Sequence, residues 1–202
     1  IFSSQIQKTE DLSDYELLMV PCYYSANESV LHLLNEYVKN GGHMVCTFKT
    51  SYSDENLKIR HETKPHLLHD SLGVTYQSFT IPDQTSLHLQ NGYENTSLQS
   101  EALKVNTFME LLIPGKAKVI ATYENTGFYH NGAITENHYG KGSTLYLGCY
   151  FSTEVLKHLL LQYFQNTSLH MDENRFPIIH KTGINQYHKK IHYYCNYSSK
   201  VQ

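Results

Sequence analysis

Apolar residues recur at helical spacing in two parts of the chain. The first set is Val30, Leu33, Leu34, Tyr37 and Val38, and the second is Leu156, Leu159, Leu160, Tyr163 and Phe164. Spacing at i, i+3, i+4, i+7 and i+8 predicts helices that each bury one face. Ser25 or Asn27 is expected to cap the first helix and Ser152 the second, while Gly41 and Gly42 supply the left-handed stop of the first.

Short apolar runs predict strands on both sides of the first helix. Residues 17–21 precede the helix and residues 43–48 follow it, each across a short loop. A strand, a helix and a strand with such connections predict a right-handed βαβ unit with parallel strands. A short helix over residues 67–72 is expected to end at Gly73. Further strands are predicted at residues 74–81, 87–89, 117–123, 133–139 and 143–148, with residues 140–142 as the hairpin turn between the last two.

These elements predict an α/β fold: a flavodoxin-like or class I glutamine amidotransferase-like parallel sheet with flanking helices, followed by a few antiparallel strands. The polar residues 49–65 are expected to form a long surface loop. Residues 1–168 are predicted to be a Rossmann-like domain, and residues 169–202 a linker and the beginning of a β domain. The tail has strand patterns at residues 178–180 and 190–197, too few strands to bury a core by themselves.

Composition and charge disfavour several classes of binding partner. The chain has 202 residues, of which 40% are hydrophobic, 12% aromatic and 17% charged, with 16 basic and 19 acidic residues. No long basic stripe is present, so nucleic acid and membrane surfaces are disfavoured as partners. No run approaches the roughly 20 apolar residues of a membrane span. Because the sequence opens on Ile1 and reads there as the middle of a domain, we expect a piece of a longer protein.

The four cysteines are Cys22, Cys46, Cys149 and Cys195. Their wide spacing favours reduced thiols in a cytoplasmic protein over a disulfide framework. Cys22 lies between a strand and a helix, where related folds carry function. A nucleophile elbow needs small flanking residues, whereas Pro21 and Tyr23 flank this cysteine. A packed thiol at the strand end is therefore favoured over a nucleophile.

A glycosidase needs two carboxylates facing each other, roughly 5 to 10 Å apart. We interpret eight acidic residues of loops and polar helix faces as ordinary surface: Asp54, Glu55, Glu94, Glu101, Glu124, Glu154, Asp172 and Glu173. Glu110, within the apolar run 108–112, could face a cleft, but a helix surface is the favoured place for it. The sequence therefore predicts no carboxylate pair.

Metal and phosphate sites are not predicted either. His66 and His69 are the nearest approach to a ligand pair, and surface imidazoles are the favoured interpretation. The glycines of residues 140–142 lie between two strands rather than between a strand and a helix, so they form a turn and not a phosphate cradle. We expect no catalytic, cofactor-binding or metal-binding residue, and no cofactor.

Three motifs in order resemble the middle domain of glycoside hydrolase family 42 β-galactosidases, which are known from bacteria. Residues 11–21 resemble its "D-L-S-x-Y" entry into a strand ending in Pro, residues 36–45 its "Y-V-x-x-G-G" helix end, and residues 138–148 its "G-x-G-x-x-x-Y-x-G" strand. Residues 108–112 resemble its aromatic residue before "E-L-L". The tail at residues 193–198 resembles the opening of its C-terminal β domain.

The resemblance implies that catalysis and subunit assembly belong to different domains. Family members have a (β/α)8 barrel with two catalytic glutamates, which makes them retaining glycoside hydrolases, a Rossmann-like middle domain used in trimerisation, and a small β domain. The barrel motifs, including its cysteine cluster for zinc, have no counterpart in this sequence. We therefore expect an inactive segment of a β-galactosidase that binds other subunits of a homo-oligomer, with galactoside bound only through the absent barrel. The loop 49–65 is expected to wall a neighbour's sugar site.

The family pattern also has a strand and a helix ahead of Ile1. Their absence from this sequence predicts an exposed gap or edge, covered by swapping or by a neighbouring chain. Two other functions stay open: an amidotransferase-like hydrolase with Cys22 as nucleophile and a histidine as base, and a carbohydrate-binding module that uses exposed members of its 17 tyrosines.

Overall fold

The computed structural model describes residues 1–167, 169 and 177–198. It contains two compact units, Ile1–Leu169 and His170–Gln202. In the first unit, the predicted βαβ unit is present as β1 (Leu17–Val20), α1 (Glu28–Lys39) and β2 (His43–Thr47), with β1 and β2 parallel. Asn27 caps α1, because its side-chain oxygen accepts a hydrogen bond of 2.8 Å from the backbone N–H of Ser29.

The other predicted elements of the first unit occur in the predicted order, and strands at residues 106–114 and 149–150 are present that were not predicted. Two 3-10 helices, Ser3–Gln5 and Thr9–Leu12, precede β1, and a third, His66–Leu68, leads into α2. The later elements are α2 (His69–Leu72), β3 (Val74–Thr80), β4 (Ser86–Leu89), β5 (Asn106–Pro114), β6 (Lys118–Glu124), β7 (Gly132–Tyr139), β8 (Gly142–Leu147), β9 (Cys149–Tyr150) and α3 (Thr153–Thr167). No helix within the described part of the chain has the length and apolar character to cross a membrane.

The strands of the first unit form one mixed sheet. Its main order is β1-β2-β8-β7-β5-β3, with β6 beside β7, β4 beside β6 and β9 beside β5. Pairing is parallel between β1 and β2 and between β2 and β8, and antiparallel between the other neighbours. The predicted α/β class is confirmed, and its parallel part comprises three strands.

Helices cover both faces of the parallel part. On β2, Met44 and Cys46 pack in the same apolar cluster as α1, whereas Val45 between them packs in the cluster that contains residues of α3. A strand buried on both faces has no polar side, which explains the continuous apolar runs in the sequence. The unit is therefore a three-layer arrangement of helix, sheet and helix.

The turn between β7 and β8 packs closely against the end of α1. Gly140 has φ +62°, and the backbone N–H of Lys141 donates a 2.9 Å hydrogen bond to the carbonyl of Lys39. A Cβ atom at Gly142 would collide with the carbonyl oxygens of Gly42 and Val38. The predicted hairpin is confirmed, and backbone contact with α1 explains the glycine at its end.

Strand β1 ends the main path of the sheet and has β2 as its neighbour among the described strands. Met19 on β1 is 49% exposed. Strand β1 is therefore an edge strand of the described sheet. The strand or chain that would cover the edge stays a prediction.

The second unit contains an antiparallel hairpin. Strands β10 (Ile178–Ile184) and β11 (Lys190–Asn196) pair from Ile178 opposite Asn196 to Ile184 opposite Lys190. All residues of both strands are exposed or half-buried, as expected for strands that have no core of their own. Most of the predicted linker at residues 169–175 lies outside the described residues. The division into a Rossmann-like domain and the beginning of a β domain stays a prediction.

Candidate functional site

Two parallel strands end side by side at the carboxyl edge of the sheet, where α/β folds bind ligands. Cys22 lies just beyond β1, and its backbone N–H donates a 2.6 Å hydrogen bond to Oγ1 of Thr47, the last residue of β2. Cys22 has φ +45° and Lys49 has φ +56°. Left-handed backbone is uncommon at residues with a side chain and is often found at functional sites. This edge is therefore the candidate site.

Glu110 lies directly beneath this edge. It belongs to β5 and is fully buried, so the predicted helix-surface position is wrong. Its Oε1 accepts a 2.6 Å hydrogen bond from the backbone N–H of Lys49, and its Oε2 accepts one of 2.7 Å from the hydroxyl of Tyr146. Met109 and Glu110 are both buried, so the alternation that would mark a strand is lost at this point. A short apolar run without alternation is ambiguous between helix and strand.

Burial dominates the electrostatics of Glu110. Desolvation raises the pKa of its carboxyl to about 7, against the opposing effect of the hydrogen bonds from Lys49 and Tyr146. Burial, together with the charge of Glu110, also raises the pKa of Tyr76 and of Tyr146. The Tyr76 hydroxyl has no geometric hydrogen-bond partner among the described residues. The candidate site thus rests on a buried carboxyl surrounded by tyrosines.

Cys22 is exposed rather than packed at the strand end as predicted. Partial desolvation of the thiol raises its pKa, Lys49 lowers it and Glu110 raises it. A nucleophilic cysteine needs the opposite shift, which a neighbouring imidazolium or a helix N-terminus commonly supplies. Cys46 and Cys149 are buried, Cys195 is half-buried, and all four thiols are free.

Five aromatic side chains form a strip at the same edge, and we call them the aromatic cluster: Tyr24, Phe48, Tyr52, Phe79 and Phe108. The ring centroid of Tyr52 lies 5.2 Å from that of Tyr24 and 5.9 Å from that of Phe79. The ring centroid of Phe108 lies 5.2 Å from that of Phe79 and 4.9 Å from that of Phe48. The Lys49 ammonium lies 4.5 Å from the ring centroid of Phe79 and 4.7 Å from that of Phe108. Sequence reasoning missed this cluster because its members come from four separate segments.

A second buried carboxyl group, on Glu136 of β7, was also missed. Glu136 is 4% exposed, and its Oε2 accepts a 3.0 Å hydrogen bond from the hydroxyl of Tyr93. Tyr93 belongs to the apolar cluster on the α3 side of the sheet, whereas Tyr146, the partner of Glu110, belongs to the cluster on the α1 side. The two buried carboxyl groups are therefore held by partners on different faces and do not form a facing pair.

The acidic residues interpreted as surface are mostly exposed. Glu55, Glu94, Glu101, Glu124 and Glu154 are exposed and Asp54 is half-buried. Asp172 and Glu173 lie outside the described residues.

His66 and His69, which the sequence offered as the nearest approach to a metal-ligand pair, have different hydrogen-bond partners. His66 Nε2 lies 3.1 Å from Oε1 of Glu28, while His69 Nδ1 donates a 2.7 Å hydrogen bond to the carbonyl of His66. Arg60 also contacts the same oxygen of Glu28, at 3.1 Å. Within residues 1–167, 169 and 177–198, no three His, Cys, Asp or Glu side chains gather as metal ligands.

The layers, the three parallel strands and the crossover through α1 define an α/β domain with a mixed sheet. Residues 4–170 match the family model described as β-galactosidase trimerisation domain. The chain therefore belongs to the trimerisation domain family of glycoside hydrolase family 42 β-galactosidases.

Similar proteins agree with this assignment. Beta-galactosidase BgaA of Clostridium cellulovorans is 28% identical over 191 residues, which are 93% of this chain and 25% of the relative. Beta-galactosidase BgaB of a Geobacillus species is 27% identical over 159 residues, 79% of this chain and 23% of the relative. The chain thus spans about a quarter of the length of these relatives.

Solved structures support the fold. The β-galactosidase from Bacillus circulans sp. alkalophilus matches with a TM-score of 0.74 and 17% identity over 85% of this chain and 26% of that one. The β-galactosidase from Rahnella sp. R3 matches with a TM-score of 0.72 and 20% identity over the same shares.

Proposed function

We propose that this chain holds the subunits of a β-galactosidase together as a trimer. Hydrolysis of terminal β-D-galactosyl residues is then the work of a barrel domain elsewhere in the full-length protein. The observation that carries the proposal is the match of residues 4–170 to the trimerisation domain family. The chain's partners are accordingly other copies of the same protein.

The buried carboxyl groups support a structural role for this segment. A retaining glycosidase needs two carboxyl groups about 5 Å apart that both reach the sugar. Glu110 is fully enclosed, and Glu136 is bound to a tyrosine on the other face of the sheet. Glu110 links β5 to β8 through Tyr146, Glu136 links β7 to the segment after β4 through Tyr93, and neither carboxyl is placed to reach a substrate.

The loop at residues 49–65 supports contact with a neighbouring subunit. Arg60 anchors the loop: its side chain is buried, contacts Glu28 and donates a 2.8 Å hydrogen bond to the carbonyl of Ala26. Leu57 and Ile59 on the same loop are 69% and 54% exposed. An anchored loop that presents apolar side chains suits a wall beside a neighbour's sugar site, and we include this role in the proposal.

The raised pKa of Cys22 argues against the amidotransferase-like alternative. The charged groups that influence this thiol are Lys49 and Glu110, and no histidine is among them. General-base activation of a thiol needs such a partner. The cytoplasmic location stays a proposal, and four free thiols are compatible with it.

Two assays on the purified chain test the division of labour. With a chromogenic β-galactoside we expect no turnover above a buffer blank, because the proposal places the catalytic carboxylates in the barrel. Turnover that copurifies with the chain and survives removal of host enzyme would contradict the proposal. Calorimetric titration with galactose or lactose should give no saturable heat, whereas saturable binding would favour the carbohydrate-binding alternative.

A further inference from the structure

The aromatic cluster is an accessible surface rather than part of the core. Phe79 is 40% exposed, and Tyr24, Phe48, Tyr52 and Phe108 are half-buried. The centres of protein interfaces are enriched in aromatic residues, and their energetic hot spots are commonly Trp, Tyr or Arg anchors. Five adjoining rings therefore suit a protein contact better than a free surface.

Two ammonium groups accompany these rings. Lys49 Nζ lies 4.5, 4.7 and 5.9 Å from the ring centroids of Phe79, Phe108 and Tyr52, and Lys64 Nζ lies 5.1 Å from that of Tyr52. Neither ammonium forms an ion pair with another residue in the described part of the chain. Ring faces attract a cation without forming an ion pair with it, and for Lys49 the buried carboxyl of Glu110 supplies a further, more distant electrostatic interaction. The surface is consequently complementary to an anionic group.

The position of Lys49 is fixed from below. Its backbone N–H is held at 2.6 Å by the buried carboxyl of Glu110, so the side chain starts from a rigid point of the core. A side chain that is already positioned loses less conformational entropy when a partner binds. The backbone of Lys49 is thus fixed by Glu110, and its ammonium is restrained by the rings of Phe79 and Phe108.

We propose that the aromatic cluster with Lys49 is one half of the contact between neighbouring copies of this chain. The neighbour contributes an acidic side chain that pairs with Lys49 and apolar atoms that cover the ring of Phe79. This inference rests on the proposed assembly function and specifies which surface performs it.

Symmetry permits a second copy as the occupant, and charge favours it. In a threefold ring each contact is heterologous, so this surface meets a different surface of the next copy rather than itself. The cationic patches of two copies are therefore not forced together. A second copy offers exposed carboxylates, among them Glu101, Glu124 and Glu154, that can pair with Lys49. Opposite charges across an interface set its orientation and speed its formation.

Sedimentation velocity over a range of concentrations tests this surface with matched variants. Phe79→Ala and Lys49→Glu should each raise the trimer dissociation constant about tenfold or more, as expected for residues at the centre of an interface. The matched controls are Phe128→Ala, whose ring is 41% exposed and outside the cluster, and Lys157→Glu on α3. Both controls should stay within about twofold of the unmodified chain, the size expected for residues outside a hot spot.

Charge is tested separately by salt and by conservative changes. Raising ionic strength should weaken the trimer of the unmodified chain, and Lys49→Met should weaken it at low salt and reduce this salt dependence. Lys49→Arg should retain assembly. Phe79→Leu keeps apolar volume without the ring, and it replaces the alanine variant if circular dichroism shows that the latter is unfolded.

The outcomes separate this inference from the function on which it rests. If the unmodified chain stays monomeric, the assembly function itself fails. If it forms a trimer that folded Phe79 and Lys49 variants leave unchanged, the contact lies elsewhere and only the inference is overturned. Galactose binding that Phe79→Ala abolishes while the trimer persists would also overturn it.

Discussion

At the scale of single residues, Glu110 makes stability depend on pH. Burial raises the pKa of its carboxyl from 4.5 to about 7, so the folded protein binds more protons than the unfolded chain between these values. Stability from this group is therefore present below pH 4.5 and is lost as the pH rises through 7. The loss corresponds to about 3 kcal/mol.

Glu110→Gln removes this titration while keeping an acceptor for Lys49. The free energy of unfolding of the variant, minus that of the unmodified chain, should increase by about 3 kcal/mol between pH 4.5 and pH 7.5. Urea titrations at several pH values measure the difference. Glu55→Gln, at an exposed loop position, is the control and should give a flat difference. Parallel curves for Glu110→Gln and the unmodified chain would contradict the account.

Cys22 provides a second test at this scale. Because desolvation raises the pKa of its thiol, iodoacetamide should alkylate it at pH 7 no faster in the folded chain than in urea. Site-resolved mass spectrometry distinguishes it from the other three cysteines. Lys49→Met should slow the reaction further, since the Lys49 charge lowers the pKa of this thiol. Faster alkylation in the folded state would revive the nucleophile hypothesis.

At the scale of elements, the contact between the β7–β8 turn and α1 should be sensitive to a single methyl group. Gly142→Ala places a Cβ against the carbonyl oxygens of Gly42 and Val38, which should cost about 1 to 3 kcal/mol of stability. Gly127→Ala is the control, because a Cβ there meets open space. Chemical denaturation compares the two, and equal midpoints would show that the turn and the helix do not pack as described.

Local patterns were enough to predict most of these elements. The α1 and α3 periodicities and the residue 140–142 turn depend on neighbours in the sequence, and each was predicted and is present. Of the two predicted caps of α1, Ser25 and Asn27, the structure selects Asn27. Glu110 was misplaced because its surroundings are set by residues 49 and 146, which are distant in the sequence.

The candidate site was less accessible from the sequence than the fold. The carboxyl edge and Cys22 could be predicted from the βαβ pattern. The aromatic cluster could not be predicted, because its rings come from segments that follow β1 and β2 and from β3 and β5. These rings meet only because β3 pairs with β5 and because the parallel strands end at the same edge. No local period relates residues 24, 52, 79 and 108.

At the scale of the whole molecule, the proposed function makes this chain an interaction module with a closed core. The buried carboxyl groups of Glu110 and Glu136 accept hydrogen bonds from tyrosines, and the aromatic cluster lies where related folds bind ligands. The same edge that serves catalysis in other α/β proteins would here serve contact between subunits.

Sedimentation equilibrium of the unmodified chain at several loading concentrations tests this account most directly. We expect a reversible equilibrium between single chains and a species with three times the chain mass of 23.4 kDa. Single chains should prevail at low concentration and the trimer at high concentration, as mass action requires. A single ideal species of 23.4 kDa at every concentration, or a dimer as the largest species, would contradict the account.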